Sequence, residues 1–171
     1  MAWYADLSPC DYFGEEYTAD LRAVGWLSRE HPYRPGDVSR EFFETLCELL
    51  REPWSPVHFL GHHMCELCRF TGGGSAQLLR RDGTRWRVPA WSLNNLFVPG
   101  DGIIYVSPES IVHYIDAHRY RPPDEFMAAV MRCPRMSSAA YFGAIRANGG
   151  EFGRRATHVA EEQRRLGPVR D

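Results

Sequence analysis

The 171-residue chain contains no lysine, so all 20 of its basic side chains other than histidine are arginines. That absence excludes several chemistries at once. A Walker A phosphate loop needs its Lys. Schiff-base and pyridoxal-phosphate catalysis need an amine that can deprotonate, which a guanidinium cannot do. Net charge is also scarce: the formal value of -2 argues against strong non-specific attraction to nucleic acid. Long apolar runs are missing. No stretch approaches the roughly 18 residues of a membrane span, and Met1–Asp6 lacks the basic and apolar regions of a signal peptide. The expectation is a cytoplasmic protein with reduced thiols and no membrane contact. Cysteines number five, and an odd count disfavours a full disulfide framework. No G-x-S-x-G elbow surrounds Ser8, Ser55, Ser92 or Ser107, and there is no dinucleotide fingerprint.

What is present suits a folded domain. An apolar fraction of 44% with 25% charged residues is ordinary for a globular protein, and 12 prolines with 15 glycines imply short elements joined by turns. Residues 2–36 are aromatic and turn-rich, with one short strand expected at Ala23–Leu27, and the aromatics read as packing groups. A helix is expected from Asp37 to Glu52, capped by Asp37 or Ser39 and stopped by Pro53. Phe42, Phe43, Leu46, Leu49 and Leu50 fall on one apolar face. Asp82-Gly83 predicts a β-hairpin between 76–81 and 84–88, whose exposed face would carry Arg80, Arg81, Arg85 and Arg87 around Trp86. The run Gly72-Gly73-Gly74 precedes a strand rather than a helix, which disfavours phosphate binding. A strand over Ile103–Val106 leads to a helix capped by Ser107 that runs to about His118. A second helix opens at Pro122-Pro123-Asp124, with Phe126, Met127, Val130 and Met131 inward. A third begins at Ser137 and stops near Asn148-Gly149-Gly150. Residues 151–171 read as a flexible or marginally helical tail, and 1–150 as a single domain.

The chemistry concentrates in His62-His63-Met64-Cys65-Glu66-Leu67-Cys68 and in His113-Tyr114-Ile115-Asp116-Ala117-His118. A C-x-x-C turn can converge two thiolates on one ion, and a helix bearing two histidines completes the ligand order of a Cys₂His₂ finger. The expected metal is zinc. Cys65 and Cys68 lead the candidates, His113 and His118 follow, and His63 (or, less readily, His62) is the substitute. The spacing carries a difficulty. Residues five apart on a regular helix differ by about 140° in direction, so both late histidines can meet one ion only if the helix loosens or ends between them. Cys10, Cys47 and Cys133 read as single thiols. Two thiolates and two imidazoles would fill the shell, which favours a structural ion over a catalytic one. Glu66 is a nominal acid or base, but no H-x-E motif precedes the cysteines as in nucleobase deaminases.

The fold expected is α+β: a small antiparallel sheet with helices packed on one side, and a finger-like C-x-x-C knuckle held to a helix. The leading function is a structural-zinc binding or adaptor module that meets a protein partner. A zinc-dependent, hydrolase-like enzyme with an open metal position is the second possibility. A nucleic-acid contact through the arginine hairpin and tail is the third.

Several pieces occur together in order: Tyr4-Ala5-Asp6-Leu7-Ser8-Pro9, Tyr12-Phe13-Gly14, Val24-Gly25-Trp26-Leu27 and Gly61-x-His63-x-Cys65-x-x-Cys68. They continue with Ile111-x-His113-Tyr114-Ile115-x-x-His118-x-Tyr120-x-Pro122-Pro123-x-Glu125-Phe126, then Cys133-Pro134-x-Met136 and Tyr141. In these the chain resembles, over roughly residues 2–150, a family of small uncharacterised bacterial proteins of unknown function. The resemblance implies no activity. It implies a metal or tightly bonded polar centre involving His63, His113 and His118 without choosing among them, and a non-ligand role for Cys10.

Overall fold

A computed structural model describes residues 2–57, 63–68, 77–81, 84–88, 91–92 and 94–166; within these, the side chains of 63, 64, 77–81, 84–88, 91, 92 and 162–166 lie outside the description. The order is β1 (Leu21–Ala23), α1 (Arg40–Leu49), β2 (His63–Met64), β3 (Gln77–Arg81), β4 (Thr84–Val88), β5 (Trp91–Ser92), β6 (Asn95–Pro99), β7 (Ile104–Pro108), α2 (Ile111–His118), α3 (Asp124–Arg132), α4 (Ala139–Asn148) and α5 (Gly150–Leu166). The class is α+β.

The central sheet has the order β1-β7-β6. The β6–β7 pair is antiparallel, with Phe97 opposite Val106 and Val98 opposite Tyr105, while β1 joins β7 in parallel, with Leu21 opposite Ile104. The sheet is therefore small, as expected, but mixed. Strand alternation splits its side chains between two cores. Leu96, Val98 and Tyr105 face a cluster with Phe42, Leu46, Ile111, Tyr114, Phe126 and Val130 from α1, α2 and α3. Leu21, Ala23, Phe97, Ile104 and Val106 face Tyr141, Phe142, Ile145 and Phe152 from α4 and α5. Helices thus cover both faces where one covered face was expected. The physical reason is that β6 and β7 are buried throughout, apart from the half-buried Pro99, and an apolar sheet face needs a partner layer.

Local chemistry explains the boundaries. Ser39 is the cap of α1: its hydroxyl accepts from the N–H of Phe42 at 3.1 Å. Ser138 does the same for α4 through Tyr141 N–H, also at 3.1 Å. Ser107 and Pro108, expected to open a helix, instead extend β7, because they pair with Leu96 and Asn95; α2 starts three residues later. In α3, Phe126, Ala129 and Val130 are buried, whereas Met131, expected inward, is exposed.

The helical layer continues past residue 150, where the folded part was expected to end. Gly150 turns the chain between α4 and α5 with φ +50, a conformation that favours glycine. Asp20 then accepts from Phe152 N–H at 3.1 Å, placing a carboxylate at the start of α5. Gly153 lets the two helices touch, since a Cβ there would lie 2.3 Å from the Ile145 carbonyl oxygen. Phe152 and Thr157 are buried against the body. The sequence signal failed here because few apolar residues are needed when a glycine contact brings the backbones so close.

β2 pairs with β5 and β3 with β4, both antiparallel. The β3–β4 register places Leu78 opposite Arg87 and Arg80 opposite Arg85. By alternation, positions 81 and 86 belong to the other side, so the four arginine positions do not share one face with position 86. No helix among the described residues is long and apolar enough to cross a membrane.

Candidate metal centre

The knuckle begins directly after β2. Residues 65–68 turn so that the backbone N–H groups of Leu67 and Cys68 are directed at the Cys65 sulfur, which favours a thiolate there. Cys65 is buried within the α1–α2–α3 core, and Leu67 and Cys68 pack at its edge. Opposite stands α2, which carries His113 in its first turn and His118 as its last residue.

Four ligand atoms meet between these elements. The sulfurs of Cys65 and Cys68 and one ring nitrogen each from His113 and His118 all lie within 4.8 Å of one another. His118 Nε2 is 3.3 Å from Cys65 Sγ and 3.5 Å from Cys68 Sγ, and His113 Nε2 is 3.3 Å from Cys68 Sγ. A tetrahedral zinc with bonds of ~2.0–2.3 Å has sulfur-to-nitrogen edges of about 3.5 Å. The spacing and the mixed sulfur–nitrogen donor set therefore fit a single ion, and the four could hold one.

The difficulty posed by the His113–His118 spacing is resolved at the helix end. His118 is the last residue of α2, and the N–H groups of both Arg119 and Tyr120 close onto the carbonyl of Tyr114. The Arg119 bond reaches back five residues instead of four, so the final turn is wider than an α-turn. Arg119 then takes the left-handed conformation, φ 53 and ψ 32, and ends the helix. With this loosening the two imidazole centroids come to 5.0 Å, edge to face.

One loop braces both halves of the centre. Arg29 donates from Nε to the carbonyl of Glu66 in the knuckle at 3.0 Å. Tyr33 donates its hydroxyl to the His118 carbonyl at 3.1 Å, and Gly36 N–H donates to the Arg119 carbonyl at 2.8 Å. Behind the helix end, Asp6 accepts from the Tyr120 hydroxyl at 2.8 Å and from Gly25 N–H at 2.9 Å. Sequence reasoning assigned no role to Arg29, Tyr33 or Asp6. Their contacts span 19 to 114 residues of chain, and no local pattern announces them.

Burial sets the protonation. It pulls His113 down to about 4, helped by neighbouring His118, and lowers His118 as well. It pushes the Cys65 thiol up to about 11. Without a cation the groups are thus neutral imidazoles and, at Cys65, a neutral thiol. A divalent ion reverses the balance at sulfur by stabilising thiolate.

Of the candidates, Cys65, Cys68, His113 and His118 are brought together. His63 lies in β2 opposite Ser92, but its side chain is outside the description, and His62 falls outside the described residues altogether. The same holds for Gly72-Gly73-Gly74, for Arg170, and for the side chains of Arg80, Arg81, Arg85, Arg87, Arg164 and Arg165. Cys10 and Cys47 are buried, Cys133 is half-buried, and all are free thiols. Burial raises them to about 11, 12 and 12 respectively, as befits packing groups. Of the tail arginines, Arg155 pairs with Glu151 at 3.8 Å and lies over the Tyr17 ring.

The chain belongs to a family described as a domain of unknown function, DUF7919, which matches residues 2–131. That span includes the central sheet, α1, α2, α3 up to its last residue but one, and all four converging side chains, and it ends before α4. No curated protein and no solved structure matches the chain.

Proposed function

We propose that this member of the family is a zinc-binding module whose Cys65, Cys68, His113 and His118 hold one structural zinc ion, and that the domain so stabilised serves as a binding or adaptor module for a protein partner. The convergence of four donor atoms within 4.8 Å carries the reading. Four protein ligands complete a tetrahedron, whereas a catalytic zinc keeps a position for water and takes three. Half of the donors are buried, Cys65 at 5% and His113 at 2% exposure, which suits an ion built into the core.

When bound, zinc would supply a tie between two segments far apart in sequence. The side chains do the rest: the Leu67 and Cys68 N–H groups favour the Cys65 thiolate, and the Arg29 and Tyr33 contacts hold the knuckle and helix end in register. Elemental analysis of the purified chain tests this directly. One zinc per chain is expected, falling to near zero in Cys65→Ser. Wild-type protein free of metal after zinc-replete expression would refute it.

A further inference from the structure

His113 is the most buried of the four donors, and it faces the centre with Nε2. A histidine ligating through one nitrogen must carry its proton on the other, and ligating histidines almost always donate that proton to an acceptor that fixes the ring. The Nδ1 atom of His113 is buried with no hydrogen-bond partner among the described residues. Two other atoms share that condition, the Ser110 hydroxyl and the Tyr114 hydroxyl. The three residues occupy positions i, i+3 and i+4 and therefore lie on one face of α2.

Ser110 is unusual in its own right. It stands at the N-cap of α2, where a serine normally bonds an N–H of the first turn, yet its side chain makes no capping bond and is 0% exposed. Its hydroxyl is close enough to the Tyr114 oxygen to favour the phenolate weakly, as a long hydrogen bond would, but the two do not meet in the geometry of a normal one. Because helical side chains lean toward the N-terminus, the His113 ring also leans toward Ser110. Three buried polar atoms with no partner of good geometry among the described residues, on residues within one turn of α2, match the number of bonds a typical internal water makes.

We infer that Ser110 is the positioning residue of the metal centre: Ser110 and Tyr114 hold one internal water that accepts the Nδ1 proton of His113 and so fixes the tautomer and orientation in which Nε2 meets the ion. The inference rests on the proposed zinc site. Ser110 is free for this task because it does not cap its helix, and the water satisfies all three atoms together. His118 is half-buried and meets Tyr114 through the ring, at 6.4 Å between centroids, and not through the phenol oxygen that Tyr114→Phe removes.

The test measures zinc affinity of the full chain by competition with a chromogenic chelator, alongside ¹⁵N NMR of the histidine ring nitrogens. Ser110→Ala and Tyr114→Phe should each weaken zinc by about 10–100-fold, the usual effect of losing an outer-shell partner. They should also shift the His113 Nδ1 signal while leaving that of His118 in place. Cys47→Ala serves as the control, since it removes a buried group that ligates nothing: it should lower the melting temperature without changing zinc affinity. If Ser110→Ala does not fold, Tyr114→Phe reads the same water. Unchanged affinity with an unmoved His113 signal in the variants that fold overturns the inference. A wild-type chain that takes up no zinc would instead overturn the underlying assignment of the site.

Discussion

Cys68 Sγ and His113 Nε2 lie 3.3 Å apart although 45 residues separate them in sequence. Nothing local produces that contact. It requires the knuckle to be delivered to the side of α2, and it ties the segment around β2 to the helical core. The consequences for stability follow from this one juxtaposition.

Removal of the metal should cost the domain heavily. Zinc binding supplies ~10–16 kcal/mol of apparent folding free energy in finger peptides, and a fraction of that is a large share of the ~5–15 kcal/mol by which a typical domain is stable. The melting temperature of the zinc-loaded chain should drop by many degrees on strong chelation. Cys65→Ser should melt like the chelated wild type and should not respond to added zinc. Differential scanning calorimetry with and without chelator checks both.

Acid should weaken the metal-free chain through His113. A histidine held below its unfolded pKa contributes stability that is complete above about 6.5 and is lost as pH falls toward the folded value. For His113 that window runs from 6.5 down to about 4, corresponding to a loss on the order of 3 kcal/mol. Urea melts of metal-free protein across that range should show the decline, and His113→Asn should flatten it.

The ligands were legible because chemistry forces them to be: two cysteines with two residues between them and two histidines on one apolar helix have few other joint explanations. How they meet was not. It depends on Arg119 ending α2 after a widened turn and on the 29–37 loop bracing the result, and both are long-range outcomes. The sheet was read in part. β6 and β7 follow one turn apart, but β1 pairs in parallel with a strand some eighty residues away, as Leu21 opposite Ile104 records, and parallel partners leave no hairpin signal. The tail was read as flexible or marginally helical, and the packing of α5 was not legible because its attachment lies in Gly153 and Asp20 and not in an apolar stripe.

Two glycine substitutions should move stability in opposite directions. Gly153→Ala places a methyl 2.3 Å from the Ile145 carbonyl oxygen and should destabilise by about 1–3 kcal/mol, as overpacking does. Gly143 lies within α4 with open space around its missing Cβ, so Gly143→Ala should stabilise by roughly 0.5–1 kcal/mol. Chemical denaturation of both variants in the zinc-loaded state separates the two.

Tyr120 should matter through Asp6. Its buried hydroxyl is one of two donors to a carboxyl group whose pKa burial has raised, so Tyr120→Phe strips a partner from a costly buried group. A loss of about 1.5–3 kcal/mol is expected at pH 7. Because the folded pKa of Asp6 lies above its unfolded value, that side chain's contribution to stability diminishes as pH rises through the shifted pKa. Asp6→Asn, which keeps an oxygen to accept both bonds, should therefore show a smaller decline with rising pH than wild type, measured by urea melts from pH 4 to pH 8.

X-ray absorption at the zinc edge on the loaded chain bears most directly on the central claim. The proposed centre predicts two sulfur scatterers at about 2.3 Å and two nitrogen scatterers at ~2.0–2.1 Å, with no exchangeable oxygen. A shell with fewer than two sulfurs, or one containing a water that responds to added anions, would contradict it.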